Sequence, residues 1–114
     1  MPPDASPSLL DYHVLLALAC RPMHGYAVRD AVEEESDGAL APRAGSLYRV
    51  LARLMVAGLV VETDAPDDAE GLRHPGRARR YYELTREGRA ALASGARRLE
   101  AASALALERL GARP

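Results

Sequence analysis

The sequence has no Trp, no Phe and no Lys among its 114 residues, and Cys20 is its only cysteine. Without Trp or Phe, a core has to come from Leu, Val, Ala and some of the five Tyr, which favours small, closely packed helices over a deep aromatic pocket. One cysteine forms no intramolecular disulfide and no Cys-rich metal framework, and near a helix end it is expected to pack as a small apolar residue. Cys20 and His24 have the spacing of a metal pair, but Pro22 turns the chain between them and no further ligand joins, so no metal is expected. Long apolar runs are also missing. The stretch Val14 to Cys20 is too short to cross a bilayer and follows Asp11 and His13 too closely to be a signal segment, so the expected location is the cytoplasm. No Gly-x-Ser-x-Gly, phosphate-cradling glycine loop or spaced acid–base pair is present, which argues against an enzyme and against a bound cofactor.

A strongly basic total, the usual first mark of a nucleic-acid binder, is absent as well: the net charge is −1. The distribution is more informative than the sum. All fifteen basic side chains are Arg, and Arg43, Arg49 and Arg53 stand between Gly38 and Val61 with no acid among them. Arg73, Arg77, Arg79 and Arg80 form a second basic window with His74, while acids gather in Asp30 to Asp37 and Asp64 to Glu70. Arg in place of Lys also accompanies a GC-rich genome and is not by itself a sign of phosphate recognition.

A chain of this length makes one domain, burying roughly two-thirds of its unfolded surface. Residues 1–6 are Pro- and Ser-rich and expected to be disordered. Ser6 before Pro7 predicts a helix N-cap, with Leu9, Leu10, Val14, Ala17 and Leu18 marking a first helix to about Cys20, ended by Arg21-Pro22. A second helix opens at His24-Gly25-Tyr26 and buries Val28, Ala31 and Val32, leaving Arg29, Asp30, Glu33 and Glu34 in water. After a loop in which Leu40 suggests a short strand, the clearest element follows. Over Ala44 to Ala57, Leu47, Val50, Leu51, Leu54 and Met55 recur at helical spacing, and Gly58 closes the helix. At roughly 100° per residue the opposite face carries Gly45, Arg49 and Ala52, flanked by Ser46, Tyr48 and Arg53. Such a basic face with little bulk suits a DNA groove, although an ordinary solvated face reads the same way in isolation.

Leu59 to Thr63 and Ala78 to Leu84 are expected to pair as a hairpin, Tyr82 and Leu84 on one face and Tyr81 and Glu83 on the other, around a long loop. Thr85 caps a last helix reaching about Leu110, with Glu87 in its first turn. In it Leu92, Leu99 and Ala106 are seven apart, as are Ala96, Ser103 and Leu110, two near-heptad rows that suit a second copy of the chain. A helix lying on its own domain is the plainer alternative. The order predicts a mainly α (α+β) fold: a winged helix-turn-helix over residues 7–84 with a two-stranded wing, then a long C-terminal dimerisation helix over 85–111.

His24-Gly25-Tyr26, Gly45-Ser46-Leu47-Tyr48, Leu51, Arg53-Leu54, Gly58-Leu59 and Arg80-Tyr81-Tyr82-x-Leu84-Thr85-x-x-Gly88-Arg89, in that order and spacing, resemble PadR-type transcriptional regulators from about Leu9 onward. The short region after the hairpin is similar to the smaller subgroup of that family. The resemblance implies a homodimer, held by the last helix together with the first, that binds a pseudo-palindromic operator in double-stranded DNA and usually represses. It assigns Ala44 to Ala57 as the recognition helix and Asp64 to Arg77 as the wing. It also implies a small-molecule effector for some members, which transfers poorly here because no Trp or Phe is available to stack on an aromatic ligand. The wing departs from the family in being acidic in its first half.

On this reading Ser46, Tyr48, Arg49, Arg43 and Arg53 reach the major groove or its flanking phosphates, with Arg49 best placed to bridge a guanine's O6 and N7. Arg73, Arg77 and Arg79 hold the backbone or minor groove, and His24 sits where a helix N-terminus meets a phosphate. Tyr26 and Tyr82 are expected in or near the core. Two other functions fit the same elements: a winged helix used for protein contact, and a ligand-binding dimer with a secondary DNA role.

Overall fold

The computed structural model describes residues 8–65 and 80–112. Its elements are α1 Leu9–Ala17, β1 Met23–His24, α2 Gly25–Glu35, α3 Ala44–Val56, β2 Val60–Thr63, β3 Tyr81–Leu84 and α4 Arg86–Arg109. Ser8 caps α1, its hydroxyl accepting the Asp11 N–H at 3.1 Å; the expected cap, Ser6-Pro7, lies outside the described residues. The helix stops at Ala17 rather than Cys20, because Arg21, preceding a proline, is kept out of the helical region and the chain has to turn before it. Cys20 is consequently exposed on that turn and not packed at a helix end.

Two residues of the next segment form a strand the sequence pattern does not reveal. Met23 and His24 pair antiparallel with Tyr82 and Tyr81, making a three-stranded sheet of order β1-β3-β2 where a two-stranded hairpin was expected. On the other edge, Val60 to Thr63 pair with Leu84 to Tyr81 in register. Sandwiched between two strands, β3 buries Tyr81 as well as Tyr82 and Leu84, so the simple alternation expected of an edge hairpin does not hold.

In α2, Gly25, Val28 and Val32 occupy the inward stripe at i, i+3 and i+7. Tyr26 therefore points outward, 54% exposed, with the Arg29 guanidinium 5.4 Å above its ring, which corrects the expectation of a core tyrosine. The connection to α3 turns through Asp37 and Gly38 at positive φ, the Gly38 N–H reaching Glu33 O at 2.8 Å. The Ser36 hydroxyl accepts the Leu40 N–H at 2.9 Å, and Leu40 packs against the core from a loop rather than from the expected strand.

The four deepest positions of α3, Leu47, Val50, Leu51 and Leu54, meet Val14, Leu15 and Leu18 of the α1 region, Val28 and Val32, and Val60, Tyr82 and Leu84 in one apolar cluster. Gly58, at φ +80°, ends α3 as the sequence pattern requires, the Leu59 N–H closing back to Leu54 O at 2.9 Å. Thr85 then ties β3 to α4: its hydroxyl donates to Gly58 O at 2.7 Å and accepts the Gly88 N–H at 2.9 Å. Arg89, one residue on, donates to Ala19 O at 3.2 Å, where a cation offsets the carbonyl end of α1.

Only the first half of α4 is covered: Gly88 and Gly95 are buried, and Ala91 and Leu92 pack against the core. From Arg97 on its residues are exposed, apart from half-buried Ala104, until Gly111 closes the helix at φ +67°. A 24-residue helix is about 36 Å long, and this one helps extend the molecule to 56 × 33 × 24 Å. Among the described residues no helix is long and apolar enough to cross a membrane, and no three metal-ligating side chains gather.

Candidate nucleic-acid interface

With its apolar stripe sunk in the core, α3 has only one way to face. Gly45, Tyr48, Arg49, Ala52 and Arg53 are exposed along the opposite side, with Ser46 half-buried and Arg43 exposed at the N-cap, where its side chain does not cap the helix. Among the described residues Arg43 and Arg49 have no side-chain partner. Each guanidinium keeps its planar donor set free for phosphates or base edges.

Arg53 is different. It is paired with Asp11, a carboxylate buried in the first turn of α1, and so it fastens α3 to α1 although its own side chain is 55% exposed. The sequence carried a signal for this: Asp11 falls at the inward spacing with Val14, Leu15 and Leu18, where an acid needs a partner. Because Arg53 is half in water, the 3–5 kcal/mol roughly typical of breaking a fully buried pair is too large here. We expect Arg53→Ala to lower stability by about 1–2 kcal/mol in urea unfolding, and Asp11→Ala added to it to recover part of the loss.

Tyr48 also has an internal contact. Its ring lies over Gly25 at the start of α2, so closely that a Cβ on Gly25 would stand 2.5 Å from the Tyr48 hydroxyl oxygen. Beside it, burial keeps the Tyr82 hydroxyl above the usual tyrosine pKa; the neighbouring Tyr48 and Glu62 push the same way, while Arg80 opposes. Tyr82 thus stays a neutral phenol across physiological pH. Arg80 bridges to Glu62 on the adjacent strand at 3.3 Å.

His24, expected near a phosphate, uses Nδ1 to accept the Ala27 N–H at 3.2 Å, capping its own helix, and sets its ring edge-on to Tyr81 at 5.5 Å. Arg73, Arg77 and Arg79 lie outside the described residues. On α4, Leu92 and Ala96 are half-buried, while Leu99, Ser103, Ala106 and Leu110 are exposed, the two leucines by 43% and 78%. These six share one side of the helix, and its outer half is an apolar row in water.

The residues of the 80–89 motif thus hold the fold together and leave α3 as the element with an exposed basic side. Tyr82 and Leu84 fill the core, Tyr81 backs His24, Thr85 and Gly88 seat α4, and Arg89 grips α1.

The family model of the transcriptional regulator PadR-like family matches residues 14–94. A 47-residue stretch is 53% identical to an uncharacterised 37.1 kDa protein in transposon TN4556 of Streptomyces fradiae, 41% of this chain against 13% of that protein. The chain therefore spans a small part of that relative's length. A PadR-like transcriptional regulator from Bacillus cereus has the same fold, with a TM-score of 0.73 and 20% identity over 90% of this chain and 91% of the other. Bacillus subtilis PadR in complex with operator DNA superposes with a TM-score of 0.61 and 20% identity, covering 76% of this chain and 46% of that one.

Proposed function

This chain belongs to the PadR-like family of transcriptional regulators, and from that premise we propose that it binds double-stranded DNA sequence-specifically, as a homodimer on a pseudo-palindromic operator, and represses transcription there. The observation that carries the reading is the outward side of α3. Arg43 and Arg49, with no partner among the described residues, alternate with small Gly45 and Ala52 along a helix whose other side is locked into the core. A helix so presented enters a major groove with its arginines leading. A protein of the same fold has been solved with operator DNA, which supports the DNA-binding reading. Arg49 and Ser46 read base edges, Arg43 meets a flanking phosphate, and the exposed row on α4 joins the two copies.

The reading is tested by selecting duplexes from a random-sequence pool with the purified protein and footprinting the DNA upstream of its own gene. A two-fold symmetric site with steep loss of affinity between about 50 and 200 mM salt is the expected result. Absence of binding at the lower salt would favour a winged helix that contacts protein. Within a selected site, Arg49→Ala should cost about 1–3 kcal/mol and relax preference at one base pair per half-site, as read by gel shift on single-base variants.

A further inference from the structure

We propose that Tyr48 is a positioning residue: within the orientation that the buried stripe imposes on α3, its ring, keyed against Gly25, fixes the last ~20° of rotation and so the aim of Arg49. This rests on the DNA-binding reading above and assigns Tyr48 a role other than direct contact. Gly25 lies on the buried side of α2, and a Cβ there would meet the Tyr48 hydroxyl oxygen at 2.5 Å, Cζ at 2.8 Å and Cε1 at 3.0 Å. The ring end thus occupies the volume a side chain would need. Its other side is exposed, the residue being 43% accessible, and it lies close enough to Tyr82 to raise that hydroxyl's pKa together with burial. Tyr48 thus stands with one side of its ring against the start of α2 and the other in water.

Arg49 follows Tyr48 by about 100° around the helix. A guanidinium stands about 9 Å from the helix axis, the Cα radius plus the side chain, so a rotation of ~20° carries it about 3 Å. That is the whole length of a hydrogen bond. A methyl on Gly25 forces one of two changes: α3 turns, or the ring swings out onto the groove-facing side. Either one spoils base reading and leaves the charges that attract DNA in place. The ring fills the notch without help from its hydroxyl, so Tyr48→Phe preserves the wedge.

The test compares the affinity of the full chain for a duplex selected by the wild-type protein with its affinity for an unselected duplex of equal length, at two salt concentrations. Circular dichroism melts check that each variant is folded. Tyr48→Phe is expected to keep the ratio within ~2-fold, whereas Tyr48→Ala and Gly25→Ala each lower it by ~10-fold or more, the value of one good base contact. Binding to the unselected duplex and its salt dependence stay at the wild-type level. In the Tyr48→Ala background Gly25→Ala costs nothing further, because the methyl enters the space the ring has left. A Tyr48→Phe protein as impaired as Tyr48→Ala places the hydroxyl on DNA and overturns the proposal, as do losses that add in the double variant. Should Gly25→Ala fail to fold, the Phe and Ala variants at Tyr48 decide alone. A wild-type protein that selects no duplex refutes the function and this role with it.

Discussion

Gly88→Ala is expected to destabilise the protein by about 3 kcal/mol, a large share of the 5–15 kcal/mol or so that holds a typical domain together. The added Cβ would stand 2.0 Å from the Leu59 carbonyl oxygen, 3.0 Å from its carbonyl carbon and 3.3 Å from Leu84 Cδ2. Backbone cannot swing aside as a side-chain tip can. The Leu59 carbonyl is also held in place by the Thr85 N–H at 3.1 Å, and the preceding Gly58 carbonyl by the Thr85 hydroxyl. To admit the methyl, α4 has to lift from the β2–β3 end of the sheet and strain or break those bonds. Overpacking costs about 1–3 kcal/mol, and a lost hydrogen bond adds roughly 1. Urea unfolding of the variant should show the midpoint shift. Gly45→Ala is the control: its methyl meets nothing within 4 Å, so the change is neutral or stabilises by up to about 1 kcal/mol.

In the homodimer proposed above, Leu99→Glu should separate the two copies and cut affinity for a two-half-site duplex by ~100-fold or more, while leaving single half-site binding nearly intact. Leu99 is 43% exposed in the middle of the row that runs from Leu92 to Leu110, beyond the part of α4 that Gly88 and Gly95 seat on the domain. A carboxylate there from each copy would place like charges in an apolar seam. The large factor comes from linkage and not from any contact with DNA: two joined readers bind the second half-site at a high effective concentration, and separated ones do not. Sedimentation equilibrium would report the oligomeric state and gel shifts on full and half sites the affinities. A variant that stays dimeric would move the interface off this row.

Much of the fold could be read directly from residue pattern, and the failures have specific causes. The stripe of α3, the positive-φ Gly58 and the Thr85 cap are local features, set by periodicity and backbone chemistry within a few residues. What the pattern could not supply depends on neighbours distant in sequence. Met23 and His24 are too short a strand to carry an alternation, and they exist as one only because β3 passes beside them. Burial of Tyr81 follows from that same pairing. Tyr26 stays outside because its neighbour Gly25 takes the inward position under Tyr48. Arg53 lies on the same basic face as Arg49 in the sequence pattern, and only the packing of α1 against α3 brings Asp11 beneath it. The position of α3 was therefore apparent in the sequence, whereas the inward spacing of Asp11 marks an acid in need of a partner without saying that Arg53, and not Arg43 or Arg49, supplies it.

The strand order β1-β3-β2 has a consequence for the timing of synthesis. The middle strand is the last of the three to be made, and Met23 waits for Tyr82. Until residues 81–84 leave the ribosome, the start of α2 lacks the sheet edge that fixes it, although the three N-terminal helices can already collapse on one another. Closing so long a loop is slow relative to helix formation. The part of the molecule from α1 to β3 thus sets only as α4 begins to emerge, so on the function proposed above a nascent chain completes its reading helix and its dimerisation helix at almost the same moment.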